Sequence, residues 1–409
     1  MSRGVTALEA QLDYLEERSA FYRERIQGRR ELTELPLLTK EELRASQQRQ
    51  PPFGEHLCAR PEELVRLHVT SGTTGEPVAI GLTQHDHEAN SQLGGEAFAI
   101  AGLLPTDTVA HCLNYALYAG GIADHMALEA SGATVVPVGV GQSQRLLDLI
   151  PRLGITAIFG TLSFPAYLAA KARDNGIEPT ALGLRHIITA GEPGAGLAAV
   201  RAEIERAWGV TVADTFGMSD VWSTMAGECG HSDGLHLTTG EHALLEVIDP
   251  ETAEPLPLED GVHGELVWTH LDRQASPLLR YRSSDLATVW TDPCPCGRST
   301  PRIRIGGRRD DMLRVQAVNV YPQAIGELLH GARHAIVADG DPIVPPLHVY
   351  VEGDANPQKL KAALRTEIAV HTLAPGTLPV AEHKTAKVFR TARGDQLPEA
   401  IRRAHERQH

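Results

Sequence analysis

Short apolar runs alternate with amphipathic segments over much of the chain. Buried strands are indicated by the runs TVAHCLNY, ATVVPVGV, TAIFG, HIITAG and TVADTFG, and helices by the segments QSQRLLDLIPRL, SFPAYLAAKARDN and GLAAVRAEIERAWG. Strands that alternate with helices in this way predict a mostly parallel sheet covered by helices. Such sheets bind ligands at the carboxyl ends of their strands, so the residues that follow each strand become candidates for a functional site.

The pattern changes near Gly227, where short strands separated by polar turns begin. HALLEVIDP, GELVWTH and ATVWTD favour a small antiparallel β subdomain over about 227–305. The charged segment Gly306–Met312 then predicts a domain boundary, with residues 1–307 as an N-terminal domain and 308–409 as a small α+β domain. The predicted fold class is therefore α/β, with a large multilayer N-terminal domain and a smaller C-terminal one.

The chain begins with MSRGVTALEAQLDYLEERSAFYRERI, which predicts one charged amphipathic helix. A second helix is predicted in LLTKEELRAS, where Thr39 as N-cap and Glu42 three residues later form a capping box. The first segment lacks the apolar core of a secretory signal, and no uninterrupted apolar run reaches the length of a membrane span. We therefore expect a cytoplasmic protein, with several domains because 409 residues exceed what one hydrophobic core usually serves.

Net charge and cysteine content restrict the classes of ligand that the protein is expected to bind. The net charge of −14 at pH 7 does not favour nucleic acids or anionic membranes, so an anionic ligand would need local positive sites. Five cysteines in a chain without an export signal indicate reduced thiols or metal ligands rather than a disulfide framework.

The segment HVTSGTTGEP at His68–Pro77 follows a predicted strand and is rich in glycine and hydroxyl groups. Glycine lets backbone N–H groups approach a ligand closely, and Ser and Thr add hydroxyl donors, so such a loop can cradle phosphate oxygens. The spacing and the lysine of a Walker loop are absent. An isolated loop of this composition is more often a surface turn, and the interpretation therefore depends on the rest of the chain.

Four further motifs follow in order: TAGEP, TFGMSD, YRSSDL and GRRDDMLRVQAVNVYP. Together with the first loop they resemble the core motifs of the adenylate-forming ligases, and in particular the phenylacetate-CoA ligase branch. The resemblance implies that a carboxylic acid attacks the α-phosphate of Mg·ATP to give an acyl-adenylate and pyrophosphate. An acceptor, usually the thiol of coenzyme A, then displaces AMP.

The resemblance also implies which residues bind the nucleotide. The β- and γ-phosphates would be wrapped by Thr70, Ser71, Gly72, Thr73, Thr74 and Gly75. The adenine pocket would be lined by Gly191, Glu192 and Pro193, and a further nucleotide-binding loop would comprise Phe216, Gly217, Met218 and Ser219. Asp285 would accept hydrogen bonds from both ribose hydroxyls, and Arg308 would reach the ribose or a phosphate.

Three more residues acquire a role from the same resemblance. Asp220 stands where the family has a Mg²⁺-binding glutamate, although it could instead cap the next helix. Asp310 lies at the hinge about which the small, mobile C-terminal lid domain rotates between half-reactions; a solvated loop is the alternative. Lys384, in LPVAEHKTAKVFR, corresponds to the lysine that bridges the carboxylate and the α-phosphate, with Lys387 as a rival.

Two departures from the family pattern concern the phosphates and the acceptor. Glu76 replaces a lysine, so its carboxylate either points to solvent or alters the handling of pyrophosphate. Gln316-Ala317 replaces an Arg-Gly pair, and the extra Cβ of Ala317 could narrow the tunnel for the pantetheine arm. Coenzyme A remains the expected acceptor, with an amine, a carrier-protein thiol or nitrite-dependent modification of an aromatic amine as alternatives. A non-catalytic ATP-binding protein is a further alternative, and a homodimer is left open.

Cysteines in two separate segments predict a metal site. Cys294 and Cys296 form a C-x-C pair, and Cys229 lies upstream near two histidines. Three thiolates and one imidazole suit tetrahedral zinc, and His236 is the predicted fourth ligand with His231 as the alternative. Without an open coordination position such a site would be structural. Buried free thiols are the other interpretation, and Cys58 and Cys112 are predicted to be packing residues.

The acyl pocket is predicted from three loops that follow strands, at Asn114–Gly121, Gly160–Pro165 and Gly217–Asp220. Its candidate lining residues are Asn114, Tyr115, Tyr118, Gly121 and Phe164, with His125 as a further polar group. Aromatic side chains can stack on an aromatic ring, which favours an aryl or arylacetic acid as substrate. Ordinary core packing is the alternative for each aromatic residue.

Overall fold

The computed structural model describes residues 2–70, 76–192, 198–316, 318–378, 388–391, 399 and 401–402. The α-helices are α1 Ser2–Arg18, α2 Ala20–Ile26, α3 Lys40–Arg49, α4 Gln84–Ile100, α5 Ile122–Ala130, α6 Ser143–Leu153, α7 Ser163–Asp174, α8 Ala198–Trp208, α9 Pro322–Leu328 and α10 Pro357–Leu364. Among the helices within these ranges, none combines the length and the hydrophobicity that a membrane span requires.

The strands account for every apolar run that the sequence pattern predicts. The first ten are β1 Arg66–Val69, β2 Ala79–Leu82, β3 Thr108–His111, β4 Thr134–Pro137, β5 Ala157–Gly160, β6 His186–Thr189, β7 Thr211–Phe216, β8 Ala226–Glu228, β9 Leu235–Leu237 and β10 Ala243–Ile248. The others are β11 Pro255–Leu256, β12 Val262–His270, β13 Tyr281–Trp290, β14 Arg302–Arg308, β15 Leu313–Val315, β16 Val318–Val320, β17 His334–Asp339, β18 Leu347–Glu352, β19 Ile368–Leu373 and β20 Val388–Thr391.

Twelve strands of the described chain form one mixed sheet, in the order β11-β10-β12-β13-β14-β9-β8-β7-β6-β5-β3-β4. Strands β3, β4, β5 and β6 pair in parallel, whereas β7 to β9 and β10 to β13 pair antiparallel. The predicted α/β fold is confirmed. The antiparallel strands, however, continue the parallel sheet, because β8 pairs directly with β7 and extends its edge.

The described residues group into two compact units. The first comprises Met1–Gly160, Gly183–Gly191 and Ala213–Ile305, and the second comprises Thr161–Leu182, Glu192–Val212 and Gly306–His409. In the second unit a four-stranded sheet has the order β19-β18-β17-β20, and α10 packs Leu360 into the same core as Val349 and Val351.

The N-terminal segment forms two helices rather than the single predicted one. Ser19 interrupts the segment with an extended backbone, and its hydroxyl accepts a hydrogen bond from the N–H of Tyr22 as the N-cap of α2. Both helices bury apolar side chains against the sheet, in a core formed by Leu8, Leu12, Leu15, Tyr22, Ile26, Leu35, Cys58, Leu271 and Leu279. The capping box of Thr39 and Glu42 at the start of α3 is confirmed.

Candidate active site

The predicted phosphate loop joins the two strands of a separate hairpin. β1 and β2 pair antiparallel, with Val69 opposite Ala79. The base of the loop is closed twice, since Thr70 N–H donates to the Val78 carbonyl and Val78 N–H donates to the Thr70 hydroxyl, each at 3.0 Å. Ser71, Gly72, Thr73, Thr74 and Gly75 lie outside the described residues. The hairpin therefore fixes the two ends of the segment that the resemblance assigns to the phosphates.

Glu76, which replaces the family's lysine, is exposed to solvent. Its backbone carbonyl accepts a hydrogen bond from Nε of Arg44 at 2.8 Å. The Nη2 group of Arg44 is buried and has no hydrogen-bond partner among the described residues. The exposure of Glu76 agrees with a side chain that points to solvent, and a guanidinium from α3 lies beside the end of the loop.

A tight loop between β7 and β8 presents Asp220. The loop returns on itself through hydrogen bonds from Met218 N–H to the Trp222 carbonyl and from Met225 N–H to the Phe216 carbonyl, both at 2.8 Å. Only glycine fits at position 217, because a Cβ there would lie 1.9 Å from the Ser223 carbonyl oxygen. Asp220 therefore lies in a short connection between β7 and β8, and it is not the N-cap of a helix.

Asp220 is buried and forms an ion pair that the sequence pattern does not reveal. Its Oδ2 accepts from Nζ of Lys40 at 3.0 Å, and its side chain is only 8% exposed. Its Oδ1 is buried without a hydrogen-bond partner among the described residues. An anionic oxygen that is buried and unpaired is costly unless a cation or a donor completes it. This oxygen is therefore suited to a hard metal ion such as Mg²⁺.

Lys40 is the functional candidate that sequence reasoning missed. It directly follows the N-cap Thr39, a position at which an exposed lysine would have no special meaning. Arg44 lies one turn further along α3, so the two cations project from one side of the helix. Helix α3 thereby connects Asp220 to the end of the phosphate hairpin and supplies local positive charge there.

A buried arginine, Arg273, packs against the Asp220 loop and donates a hydrogen bond to it. Nη1 of Arg273 donates to the Val221 carbonyl at 3.0 Å, and its guanidinium lies 4.5 Å from the ring centroid of Trp222. Arg273 is 2% exposed and lies 3.9 Å from the buried carboxylate of Asp86. The loop is thus anchored by a charge pair that cannot reach water.

Asp124 of α5 holds the far end of the same loop. Its Oδ1 accepts from the Thr224 hydroxyl at 2.9 Å, and its side chain is buried. Burial raises the pKa of Asp124 to about 6. A carboxyl whose pKa is higher in the folded than in the unfolded chain costs no stability at low pH, and the cost grows as pH rises through the folded pKa.

Replacing Asp124 by asparagine is expected to stabilise the protein above pH 6. The shift corresponds to about 3 kcal/mol at pH 7.5, and asparagine still offers an oxygen to Thr224. Urea unfolding of both proteins between pH 4 and 8 measures the difference, which should shrink toward zero as the pH approaches 4. Parallel pH profiles for the two proteins would contradict the assignment.

The predicted ribose residue lies at an irregularity in β13. Asp285 is buried, and its N–H donates to the Ser283 hydroxyl at 3.1 Å. Ser284 adopts a left-handed φ of 64°, and the pairing of β12 with β13 shifts register between Glu265 and Val267. A bulge of this kind redirects the following side chain out of the regular alternation and is common beside active sites.

The predicted nucleotide arginine and the predicted hinge residue contact each other. Arg308 donates from Nε and Nη2 to the two carboxylate oxygens of Asp310, both at 2.8 Å. Both belong to the second unit, where Asp310 lies in a short 3-10 helix at Arg309–Asp311. Lys384, Lys387 and Ala317 lie outside the described residues.

The predicted adenine segment divides between the two units. Gly191 has a φ of 76°, which favours glycine at that position. The Glu192 carboxylate accepts from the backbone N–H and the hydroxyl of Ser163 at 2.8 and 3.1 Å, at the first residue of α7. A carboxylate at the N-terminus of a helix is favoured by the helix dipole. Pro193 lies outside the described residues.

The predicted acyl loop follows β3 in the first unit. The Asn114 side chain accepts from Ala116 N–H at 3.0 Å, Tyr115 is half-buried, and Tyr118 is exposed. A Cβ at Gly121 would lie 2.6 Å from the Asn114 carbonyl oxygen, so only glycine lets the loop close over Tyr115. The loop also touches the phosphate hairpin, because Val69 N–H donates to the Leu117 carbonyl at 3.0 Å.

Phe164 belongs to the second unit, where it is buried and its ring lies 6.5 Å from that of Tyr167. These contacts are those of ordinary core packing. Its assignment to the acyl pocket stays a prediction.

The four predicted metal ligands lie together in the first unit. Their ligand atoms, from Cys229, His236, Cys294 and Cys296, are all within 4.8 Å of one another. Sγ of Cys229 lies 3.6 Å from Sγ of Cys294, and Sγ of Cys296 lies 3.4 Å from Nε2 of His236. Zn–S bonds of about 2.3 Å at tetrahedral angles would give S···S distances of about 3.8 Å. The donor set and spacing therefore fit zinc.

Hydrogen bonding orients the histidine of this group. Nδ1 of His236 lies 3.1 Å from the Thr300 hydroxyl, which leaves Nε2 directed at the cysteines. His231, the alternative, is exposed, bonds through Nδ1 to the Cys229 carbonyl and is not in the group. Cys58 and Cys112 are free and buried, in agreement with packing residues.

Comparison with known proteins agrees with this arrangement. The family described as AMP-binding enzyme matches residues 10–270. A phenylacetate-coenzyme A ligase of Thermus thermophilus is 35% identical, over 77% of this chain and 72% of its own. One of Pseudomonas putida is 33% identical, over 82% of this chain and 73% of its own. A solved 2-hydroxyisobutyryl-CoA ligase in complex with 2-HIB-AMP superposes with a TM-score of 0.86 at 27% identity, covering 99% of this chain and 91% of that one.

The chain therefore belongs to the AMP-binding enzyme family, the adenylate-forming ligases. Within that family it is phenylacetate-CoA ligase-like, so the resemblance drawn from the motifs is confirmed.

Proposed function

We propose that the chain is an ATP-dependent ligase that activates a carboxylic acid as its acyl-adenylate and transfers the acyl group to coenzyme A. The proposal is carried by helix α3, which places Lys40 on Asp220 and Arg44 at the end of the phosphate hairpin. A buried carboxylate and two cations at one helix match the needs of a metal-bound triphosphate. Family membership supports the same reaction.

Each part of the site has a task in the first half-reaction. The hairpin loop would hold the β- and γ-phosphates, with Lys40 and Arg44 balancing charge that a loop lysine balances in relatives. Asp285 would fix the ribose, and Asp220 would hold Mg²⁺. The ion, when bound, would neutralise phosphate charge. Lys384 would approach the carboxylate and α-phosphate, and Arg308 and Asp310 would belong to a mobile lid.

The acyl group is proposed to be aryl or arylacetic. Tyr115 and Tyr118 offer aromatic surface beside the hairpin, and relatives named phenylacetate-CoA ligase support this class of acid. Coenzyme A is the proposed acceptor. A structural zinc ion is proposed at Cys229, His236, Cys294 and Cys296, where it would connect β8, β9 and the β13–β14 connection.

The experiment that tests the proposal measures pyrophosphate release with a panel of aryl and arylacetic acids, with and without coenzyme A. We expect acid-dependent release, and mass spectrometry should show a thioester when coenzyme A is added. ATP binding without turnover of any acid would favour a non-catalytic protein. If coenzyme A never increases AMP release, while an amine, a carrier protein or nitrite with an aromatic amine does, the proposed acceptor is wrong.

A lysine pair tests the chemistry of the first step. Lys384→Ala is expected to reduce adenylation by at least about 10²-fold, because an ammonium would no longer stabilise charge on the α-phosphate. Thioester formation from supplied acyl-adenylate should persist. Lys387→Ala is the matched control and should retain both steps. Equal loss of both steps in Lys384→Ala would contradict its assigned role.

A further inference from the structure

A chain of hydrogen bonds runs from the acyl loop to the protein surface. The Tyr115 hydroxyl oxygen lies 2.9 Å from Nδ1 of His125, and Nε2 of His125 lies 3.2 Å from a carboxylate oxygen of Glu129. His125 and Glu129 stand four residues apart on α5, a spacing that aligns their side chains on one face. The side chain of His125 is 16% exposed and that of Glu129 is 55% exposed, so the chain ends in water.

The chemistry of these three groups fixes the direction of their protons. A carboxylate only accepts hydrogen bonds, so Nε2 of His125 carries the proton that Glu129 receives. With Nε2 protonated and the imidazole neutral, Nδ1 is an acceptor, and the Tyr115 hydroxyl then donates to it. Burial raises the pKa of Tyr115, which keeps the phenol protonated. The Tyr115 hydroxyl thus donates its proton to the hydrogen bond with His125, so the Tyr115 oxygen can only accept a further hydrogen bond.

The ring of Tyr115 is held on several sides. It lies 4.7 Å from the ring of His111, centroid to centroid, and close to Gly139 beyond the end of β4. His111 donates from Nε2 to the Gly120 carbonyl at 3.1 Å, and burial lowers its pKa to about 4, so it stays neutral at pH 7. Its Nδ1 is buried, lacks a hydrogen-bond partner among the described residues, and is therefore a second acceptor. The Tyr115 oxygen and Nδ1 of His111 are therefore the two acceptors beside this ring.

We propose that Tyr115 selects acids whose ring carries a hydrogen-bond donor, a hydroxyl or an amino group, and that His125 and Glu129 are positioning residues for this selection. The inference rests on the proposed ligase function. A donor on the substrate would satisfy the Tyr115 oxygen. An ether or a hydrogen at the same ring position would leave that oxygen unsatisfied when the pocket closes, which costs binding energy.

The test compares matched aryl acids that carry a hydroxyl, an amino, a methoxy or no group at the same ring position. Pyrophosphate release should give the wild-type enzyme at least about tenfold higher kcat/KM for the hydroxy or amino acid than for the methoxy acid. Tyr115→Phe should remove this preference, mostly through KM, by lowering kcat/KM for the hydroxy and amino acids more than for the methoxy and unsubstituted acids. Glu129→Gln should reduce the preference in part, and Glu129→Asp should restore some of it. Tyr167→Phe, outside the loop, is the matched control.

Two other results separate this inference from the ligase function itself. Release with the unsubstituted acid but equal kcat/KM for the hydroxy and methoxy acids would overturn the selection by Tyr115 and leave the ligase proposal standing. A uniform loss for all acids in Tyr115→Phe would show a packing role only, and would also overturn it. No release with any acid would contradict the ligase proposal.

Discussion

Replacing Asp220 by asparagine is expected to slow acid-dependent pyrophosphate release by about 10²–10³-fold, with little change in the fold. One oxygen of Asp220 is paired with Lys40 and the other is buried without a hydrogen-bond partner among the described residues. Asparagine keeps the shape but loses the negative charge that a divalent cation requires. ATP–pyrophosphate exchange at several Mg²⁺ concentrations measures the effect, and higher Mg²⁺ should restore part of the rate.

Two further variants make this result specific. Asp148→Asn, which changes an exposed carboxylate on α6, should behave like the wild type. Lys40→Met should also slow exchange. The variant carrying both Lys40→Met and Asp220→Asn should lose less than the product of the single losses, because the two side chains act as one unit. Wild-type exchange in Asp220→Asn would refute the assignment of Asp220 to the metal.

Replacing Cys294 by serine is expected to remove bound zinc and to lower the midpoint of thermal unfolding by roughly 10 °C. Cys294 is buried and its sulfur lies 3.6 Å from that of Cys229, so loss of one thiolate leaves the other ligands without their ion. Metal analysis should give about one zinc per chain in the wild type and almost none in the variant. A chelator should lower the unfolding midpoint of the wild type and leave that of the variant unchanged.

The neighbouring His231 provides the control for the zinc site. His231 is exposed and bonds only through Nδ1 to a backbone carbonyl, so His231→Asn should keep the metal. Wild-type protein without bound metal would contradict the site. Equal metal loss in His231→Asn and in His236→Asn would show that the fourth ligand is wrongly assigned.

Sequence periodicity was sufficient to predict most helices and strands, but it was not sufficient to predict where a helix breaks or how the strands join into one sheet. β3, β5 and β6 are buried along nearly their whole length, and for that reason their apolar runs could be predicted, whereas β4 is an edge strand and is more exposed. The break between α1 and α2 depends on one serine that satisfies a backbone N–H, and helical spacing continues across it. The union of parallel and antiparallel strands in one sheet depends on the pairing of β7 with β8, a contact that no local pattern encodes.

Motif order in the sequence identifies candidate site residues, but it does not reveal contacts between residues that are far apart in the chain. Asp220 follows β7 and Asp285 lies within β13, each in a motif that the sequence shows. Lys40, by contrast, lies 180 residues from Asp220 in sequence, and nothing near it indicates a partner. The spacing of residues along the sequence could not decide whether His231 or His236 is the fourth ligand of the predicted metal site. The pairing of β8 with β9 brings His236 opposite Gly227, two residues before Cys229, whereas His231 lies in the turn between the strands.

The attachment of Leu38 to β13 couples the N-terminal segment to the residues that are proposed to bind the nucleotide. Leu38 receives a hydrogen bond from Arg282 N–H and donates to the Arg280 carbonyl, so it lengthens the sheet beside the strand that carries Asp285. Two residues later Lys40 reaches Asp220. The short segment Leu38–Lys40 therefore joins β13, the strand of Asp285, to the loop that carries Asp220. Shortening or lengthening the chain between Leu38 and Lys40 by one residue would misalign both, so an insertion there should weaken ATP binding even though the insertion lies outside every recognised motif.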